Sequence, residues 1–414
     1  MDATVKLFDP VVNTQRKTGD RVSQIIASDC GKREHFTQGY DPSELRRLIQ
    51  AWARELGFTK MGVSDVDLRE HESHLNKWLD SGYHGDMQWM AAHGTKRSRP
   101  EELVPGTIRV ISVRMDYKPS GADPELQLEQ PGKAYIARYT LGRDYHKLMR
   151  KRLAKLSRRI EAHVCDGERA EGTLGRGKYR AFVDSAPVLE RALAQRAGLG
   201  WIGKNSMLIS KEAGSWFFLG EIFTNLPLAV DDAHEAEHCG TCVKCLDVCP
   251  TRALIAPGIL DARRCVSYLT IEHKGSIDPE LRPLMGNRIF GCDDCQLYCP
   301  WTKFSPTTAE ADFQPRHGLD DQRLVDLFLW DELTWARKTE GSALRRIGYE
   351  RWLRNLAVAL GNAPTDPDVI GALRARADDS SELVREHIAW ALKQHTDPSR
   401  HRDKSQVRDR KCAR

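Results

Sequence analysis

No run of about 18 consecutive apolar residues occurs in this chain of 414 residues, which excludes a membrane-spanning helix. The first residues lack the charged-then-apolar order of a secretory signal, so export is not expected. A strong charge of one sign is missing too. The formal net charge of +5 is mildly basic, which permits a nucleic-acid partner without demanding one. The hydrophobic share of 40% is enough for real cores, and the length suits two or three domains. Cysteine is what the chain does not lack, and its cysteines are gathered.

Seven of them stand between Cys239 and Pro300 in two runs, and Cys265, between the runs, makes an eighth. The first run reads Cys239-Gly-Thr-Cys242-Val-Lys-Cys245-Leu-Asp-Val-Cys249-Pro250. This is the C-x2-C-x2-C-x3-C-P spacing of a bacterial two-cluster ferredoxin. The second reads Cys292-Asp-Asp-Cys295-Gln-Leu-Tyr-Cys299-Pro300. Together these cysteines supply thiolates for two [4Fe–4S] cubanes, since iron in a sulfide cage prefers soft anionic sulfur. In such modules the last cysteine of each run ligates the other cluster. The expected quartets are therefore Cys239, Cys242, Cys245 and Cys299 for one cluster, and Cys249, Cys265, Cys292 and Cys295 for the other. Paired cysteines also serve zinc, but zinc rarely needs three at two-residue spacings and a fourth before proline. Disulfides are the third option, disfavoured in a chain without an export signal, and a reducing cytoplasm is the expected location. Cys30, Cys165 and Cys412 read as ordinary free thiols.

Residues 1–40 are polar and aperiodic and read as a disordered leader. Asp41 or Ser43 can cap a helix whose apolar face is Leu45, Leu48, Ile49, Trp52 and Leu56. Strands are expected at Lys60–Ser64, Val110–Val113, Arg180–Asp184, Met207–Ser210 and Trp216–Ile222, and helices at Tyr145–Ile160 and Pro187–Ala197. This mixture argues an α/β domain over 41–228, followed by a ferredoxin-type module over 229–310. The helix from Tyr145 has a basic face of Lys147, Arg150, Lys151, Lys155, Arg158 and Arg159, either a solvated face or a nucleic-acid contact. From 318 to 398 the pattern is helical. Leu356-Ala-Val-Ala-Leu360 is echoed by Ile388-Ala-Trp-Ala-Leu392, which suggests a HEAT-like repeat, with a plain helical cap as the alternative. A basic tail covers 399–414. Gly198-Leu-Gly-Trp-Ile-Gly203 matches the dinucleotide fingerprint in letters only. A helix precedes it and a strand follows, the reverse of the required order. A tight loop that lets backbone approach a large cofactor suits it better.

Several stretches together resemble the epoxyqueuosine reductases. They are Tyr83-His-Gly-Asp-Met-Gln-Trp-Met90, Arg109-Val-Ile-Ser-Val-Arg-Met115, Arg138-Tyr-Thr-Leu-Gly-Arg-Asp-Tyr-His146 and Val183-Asp-Ser-Ala-Pro-Val-Leu-Glu-Arg191. Gly200-Trp-Ile-Gly-Lys-Asn205, Gly214-Ser-Trp-Phe-Phe-Leu-Gly-Glu221 and Leu260-Asp-Ala-Arg-Arg-Cys-Val-Ser-Tyr-Leu-Thr-Ile-Glu272 complete the set. The likeness covers about 41–310 closely and the helical tail more loosely. It implies a cobalamin in the α/β domain, a fold shared with reductive dehalogenases, and a tRNA carrying epoxyqueuosine in a GUN anticodon. The absence of an Asp-x-His-x-x-Gly stretch agrees with a corrinoid that takes no protein histidine. No side chain supplies electrons at the potential required, so cofactors must, fed by an external ferredoxin- or flavodoxin-like donor. A monomer is the default expectation.

The resemblance also implies site residues. Asp184 would be the acid, with a carboxyl expected to be raised in pKa beside an apolar corrin. Its competing role is to cap the helix that follows. Asp293 and Asp294 would be costly beside an anionic cluster unless they face something polar, and corrin amides would serve. Ser267, Arg138, Tyr139, Lys204 and Asn205 are further cofactor candidates, and Lys274 and Arg97 are candidate tRNA contacts. At each of these an ordinary fold or surface role competes. Rival functions are a dehalogenase-like enzyme on a small molecule, a plain electron carrier, and a tRNA-binding module with a structural cluster.

Overall fold

The computed structural model describes residues 41–167, 179–234 and 236–397. The leader, the basic tail, Cys30, Cys412 and the side chain of Cys165 lie outside the described residues.

The first expected helix is α1 (Pro42–Glu55), and Asp41 caps it by accepting the Ser43 N–H at 2.8 Å. It leads into the central sheet, built from β1 (Lys60–Ser64), β2 (Arg109–Asp116), β3 (Tyr179–Phe182) and β4 (Phe217–Thr224). Their order is β1-β2-β4-β3 and every pairing is antiparallel. Helices lie on both faces. On one, α1 and the long α2 (Tyr145–Gly167) bury Leu45, Ile49, Leu153, Leu156 and Ile160 against Ile111, Val113 and Ile222. On the other, α3 (Glu190–Arg196) packs Ala192 and Leu193 against Val110, Phe182 and Phe223. The layering is that of an α/β domain, but the strands run antiparallel because no crossover helix joins parallel neighbours.

Alternation along β2 and β4 explains the two cores: Ile111, Val113 and Ile222 face one way, Val110 and Phe223 the other. Each fully buried aliphatic side chain contributes roughly 1.5–3 kcal/mol. Glu221 breaks the pattern, a wholly buried carboxyl on the α3 face.

The glycine loop is a correction. Trp201–Ile202 pairs with Leu208–Ile209 in a hairpin. A Cβ on Gly200 would stand 2.2 Å from the Ile209 carbonyl, and one on Gly203 would stand 2.3 Å from the Ile209 side chain. The close approach these glycines permit is to the chain's own hairpin rather than to a cofactor.

The helical part contains α4 (Gly348–Asn362), α5 (Pro367–Ala375) and α6 (Glu382–Thr396). The echoing segments fall on α4 and α6, where Gly361 lets Trp390 and Ala391 come close. This unit is fastened to the cysteine-bearing module. The wholly buried Arg354 donates to the carbonyls of Leu269, His273 and Gly275, and Asn355 donates to those of Thr270 and Ile289. Five carbonyls, from the helix at Val266–Ile271, the turn after it and the strand at Arg288–Phe290, thus rest on two adjacent residues of one helix.

Candidate active site

The cysteines meet as two groups. Cys239, Cys242, Cys245 and Cys299 line one cavity of about 330 Å³, together with Lys204, Asn205, His238 and Trp301. Burial raises the Cys245 thiol to about 11, and its neighbours Cys239, Cys299 and Cys242 add to the rise. Burial raises the Cys295 thiol far more, with Cys265 and Cys249 among its neighbours, and Cys292 likewise feels Cys265. Such thiols lose their protons only to a strong Lewis acid, which iron supplies. Among the described residues no three His, Cys, Asp or Glu converge on a single-ion position. A cubane sets its four thiolates on four separate irons, so the donor set and its spread fit two clusters.

The carboxylates between the cluster cysteines have partners within the chain. Asp294 forms a two-pronged pair with Arg288, at 2.7 and 2.5 Å, and accepts from the Cys292 thiol at 2.9 Å. Asp293 accepts the Tyr135 hydroxyl at 2.9 Å and the Arg138 N–H at 2.8 Å. Burial lifts Asp293 to about 6 against those two hydrogen bonds. The polar company expected from corrin amides is therefore supplied by Arg288, Tyr135 and Arg138.

Other expected residues are also engaged elsewhere. Arg138 is buried, donates to Gln127 at 2.6 Å and Ala122 at 3.1 Å, and lies over the Tyr135 ring. Lys204 donates to the Gly240 carbonyl and Asn205 to that of Cys295, so both brace the cysteine module. Ser267 hydrogen-bonds the Cys265 thiol. Arg97 is 5% exposed and donates to the carbonyls of Met90 and Trp89, with its guanidinium over the Trp89 ring. At that burial it ties down a loop instead of presenting a cation to RNA. Lys274 is exposed.

Asp184 lies just beyond the end of β3, with a left-handed φ of 55° that aspartate tolerates better than most residues. Such backbone persists where the surroundings enforce it. Here the Asp184 N–H donates to the Glu190 carboxylate at 2.5 Å. The capping role is thereby overturned: α3 begins at Glu190, its cap residue is Leu189, and the Asp184 side chain bonds elsewhere. The Tyr145 hydroxyl donates to Oδ2 at 2.6 Å, and His146 Nε2 meets the same oxygen at 3.1 Å. The other His146 nitrogen, Nδ1, meets Asp144 at 2.7 Å. Protein atoms crowd Asp184, yet 46% of its side-chain surface is accessible, so it forms the wall of a cleft. Tyr139 stands near the same wall, its ring 6.2 Å from that of Tyr145.

The ionisation of this group departs from expectation. Burial pushes Asp184 up, but the His146 and Tyr145 hydrogen bonds outweigh it and hold the carboxyl down at about 2. Burial pushes His146 down, but Asp144 and Asp184 lift it to about 9. At neutral pH the proton is on the imidazole and Asp184 is ionised. Arg346, which bonds Glu272 at 2.8 Å, adds to the pull on Asp184. Tyr145, His146, Glu190 and Glu221 were not singled out as site residues from sequence. The signal was present in Arg143-Asp144-Tyr145-His146, where an acid precedes a histidine by two residues.

A cleft-wall acid, a charged histidine and two neighbouring cysteine quartets define a two-cluster iron–sulfur oxidoreductase. Residues 97–185 match the family model for epoxyqueuosine reductase QueG, DUF1730, and residues 238–302 match the 4Fe-4S double cluster binding domain. The Pseudomonas aeruginosa epoxyqueuosine reductase is 61% identical over 355 residues, covering 86% of this chain and 96% of its own. The Escherichia coli enzyme is 53% identical, covering 87% and 92%. The crystal structure of an epoxyqueuosine reductase with a tRNA-Tyr epoxyqueuosine-modified stem loop aligns with a TM-score of 0.77 at 27% identity, covering 87% of this chain and 92% of that one. A Bacillus subtilis structure, described with an aspartate-bearing catalytic loop swung out of the active site, aligns at 0.75 and 27%, with the same two coverages. The chain belongs to the epoxyqueuosine reductase family and is an oxidoreductase.

Proposed function

We propose that the chain reduces epoxyqueuosine to queuosine at the wobble position of tRNAs with GUN anticodons. The observation that carries this is the Tyr145–His146–Asp184 group on a cleft wall in a chain that also gathers two cysteine quartets. The family assignment and the stem-loop-bound relative support the substrate. The quartets hold two clusters in the crossed arrangement, with Cys239, Cys242, Cys245 and Cys299 on one and Cys249, Cys265, Cys292 and Cys295 on the other. The module over 229–310 and the α/β domain over 41–228 act as cluster carrier and reaction chamber, with an HEAT-like helical unit over 318–398 behind them. An external one-electron carrier supplies the electrons.

Cobalamin would be held beside Asp184; Asp144 and Asp184 occupy both His146 nitrogens, so that histidine would not be free to bind it. Bound there, it supplies the electron-rich metal centre that side chains cannot. Of the residues expected to hold it, Asp184 is exposed there and Tyr139 packs beside Tyr145. The chain's own chemistry is proton management. Asp144 and Asp184 keep His146 charged, and Tyr145 orients the Asp184 carboxylate. The opening epoxide oxygen takes its proton from His146 Nε2, passed along Asp184 Oδ2. Arg346 and the exposed Lys274 are basic groups suited to the tRNA backbone.

The test is an anaerobic assay of reconstituted protein with cobalamin, a strong reductant and tRNA bearing epoxyqueuosine, read by nucleoside mass spectrometry. Loss of one oxygen from the modified base, dependent on cobalamin, is the expected outcome. No conversion despite full iron and bound cobalamin would reject the substrate.

A further inference from the structure

Turning an epoxide into an alkene consumes two electrons and two protons and releases one water. The His146–Asp184 couple carries one proton, so the site as described is one short. A second store lies behind it. Glu221 is wholly buried on the α3 side of the sheet, opposite Ser112 on β2 and Phe182 on β3. Neither of its carboxyl oxygens meets a donor group of the chain. The side chain it faces is another carboxyl, that of Glu190. Two carboxyls in contact within a sealed interior do not both ionise, and the contact becomes a hydrogen bond when one of them holds a proton. Glu190 is only half-buried and accepts the Asp184 N–H, so it links the sealed acid to the cleft.

We propose that Glu190 and Glu221 hold one proton between them and that Glu190 hands it over as the second proton of the reaction. This rests on the reading given under Proposed function. In balance, one epoxide C–O bond breaks and its oxygen takes the His146 proton. The second C–O bond then breaks as the carbon–carbon double bond forms, and the departing hydroxide takes the proton from Glu190 and leaves as water. The external reductant supplies both electrons. The titratable groups facing the pair are His146, Asp184 and the neutral Tyr145 on one side and the Arg97 and Arg191 cations near Glu190 on the other. Burial and the Asp184 charge lift Glu190 to about 7, and burial with Glu190 lifts Glu221 well above the carboxylate range. Glu221 thus stores while Glu190 exchanges.

The experiment has two arms, each with wild type, Glu221→Gln and Glu190→Gln. Infrared spectra of the full-length protein, without substrate, read the carbonyl band of a protonated carboxyl and its shift in heavy water. The expected result is a band that persists at pH 7 in wild type, is lost in Glu221→Gln, and shifts in frequency in Glu190→Gln, where burial still holds the proton on Glu221 but its carboxyl partner is gone. Turnover of epoxyqueuosine tRNA is then followed against pH. A loss on the order of 100-fold is expected, together with removal of the limb near pH 7, whereas a purely structural role would lower kcat evenly at every pH. A missing band in wild type, or wild-type kcat at all pH values in both variants, would overturn the proposal. A band present without any conversion by wild type would overturn the functional reading and spare the shared proton.

Discussion

Asp293 and Asp294 stand between two cluster cysteines, and Glu190 and Glu221 stand behind Asp184. Both are pairs of neighbouring acids with at least one member wholly or almost wholly buried. The chain treats them in opposite ways. Asp294 has both oxygens on Arg288, and Asp293 has a hydroxyl and a backbone N–H on one oxygen. Glu221 has only another carboxyl. A buried charge answered by fitted donors holds a structure in place, whereas a buried acid left without them must keep a proton, and a kept proton is available for use. The aspartates are thus part of the frame around the clusters, and the glutamates are part of the chemistry.

The comparison is sharpened most by the residue between the two regions. Asp184→Asn removes one of the two carboxylates that keep His146 charged and the oxygen through which its proton passes, while its amide leaves the fold and both quartets untouched. Turnover should fall about 10²–10⁴-fold with iron content unchanged. Nucleoside mass spectrometry and an iron assay on the same sample check this, and full activity would move the acid elsewhere. Next in size is Arg288→Ala, which strands Asp294 at 5% exposure beside Cys292. Losing one partner of a buried pair costs about 3–5 kcal/mol, seen as a lower denaturation midpoint under anaerobic conditions. Adding Asp294→Ala should recover a good part of that loss. A single variant as stable as wild type would mean that the two acid pairs do not differ as argued.

The frame was far more legible in sequence than the proton store. Cysteine spacing carries its own geometry, because a cluster constrains ligands that are close in the chain. The strands at Lys60–Ser64 and Val110–Val113 were legible because short apolar runs rich in valine and isoleucine report a strand covered on both faces. The company of Asp293, Asp294, Lys204 and Asn205 was not. Tyr135, Gly240 and Cys295 lie far along the chain from Asp293, Lys204 and Asn205, and no local pattern marks a hydrogen bond across such a gap. Arg288 is close in sequence to Asp294, but their spacing falls outside any regular element and carries no periodic signal. The charge state of Asp184 was misjudged for the same reason: burial can be guessed from a strand end, but His146 and Tyr145 come from another helix. Glu221 lay in plain view inside an apolar strand, the one local conflict that should have drawn attention.

The smallest effect expected concerns pH. His146 titrates near 9 in the folded chain, above the ordinary value near 6.5 for a free histidine. A folded pKa above the unfolded one means that the folded state holds its proton more tightly. The stabilisation is therefore complete below about pH 6.5 and is lost as pH rises through about 9. The unfolding temperature should decline modestly over that window in wild type. In His146→Gln, which keeps a polar side chain beside Asp184 but cannot titrate, the decline should be smaller. The Asp293–Arg288 side of the frame predicts no loss in the same window, since Asp293 titrates near 6 and its Asp294 neighbour's partner, Arg288, stays charged. A decline of the same size in both proteins would place the alkaline sensitivity outside the Asp184 group and would leave the charged imidazole without support.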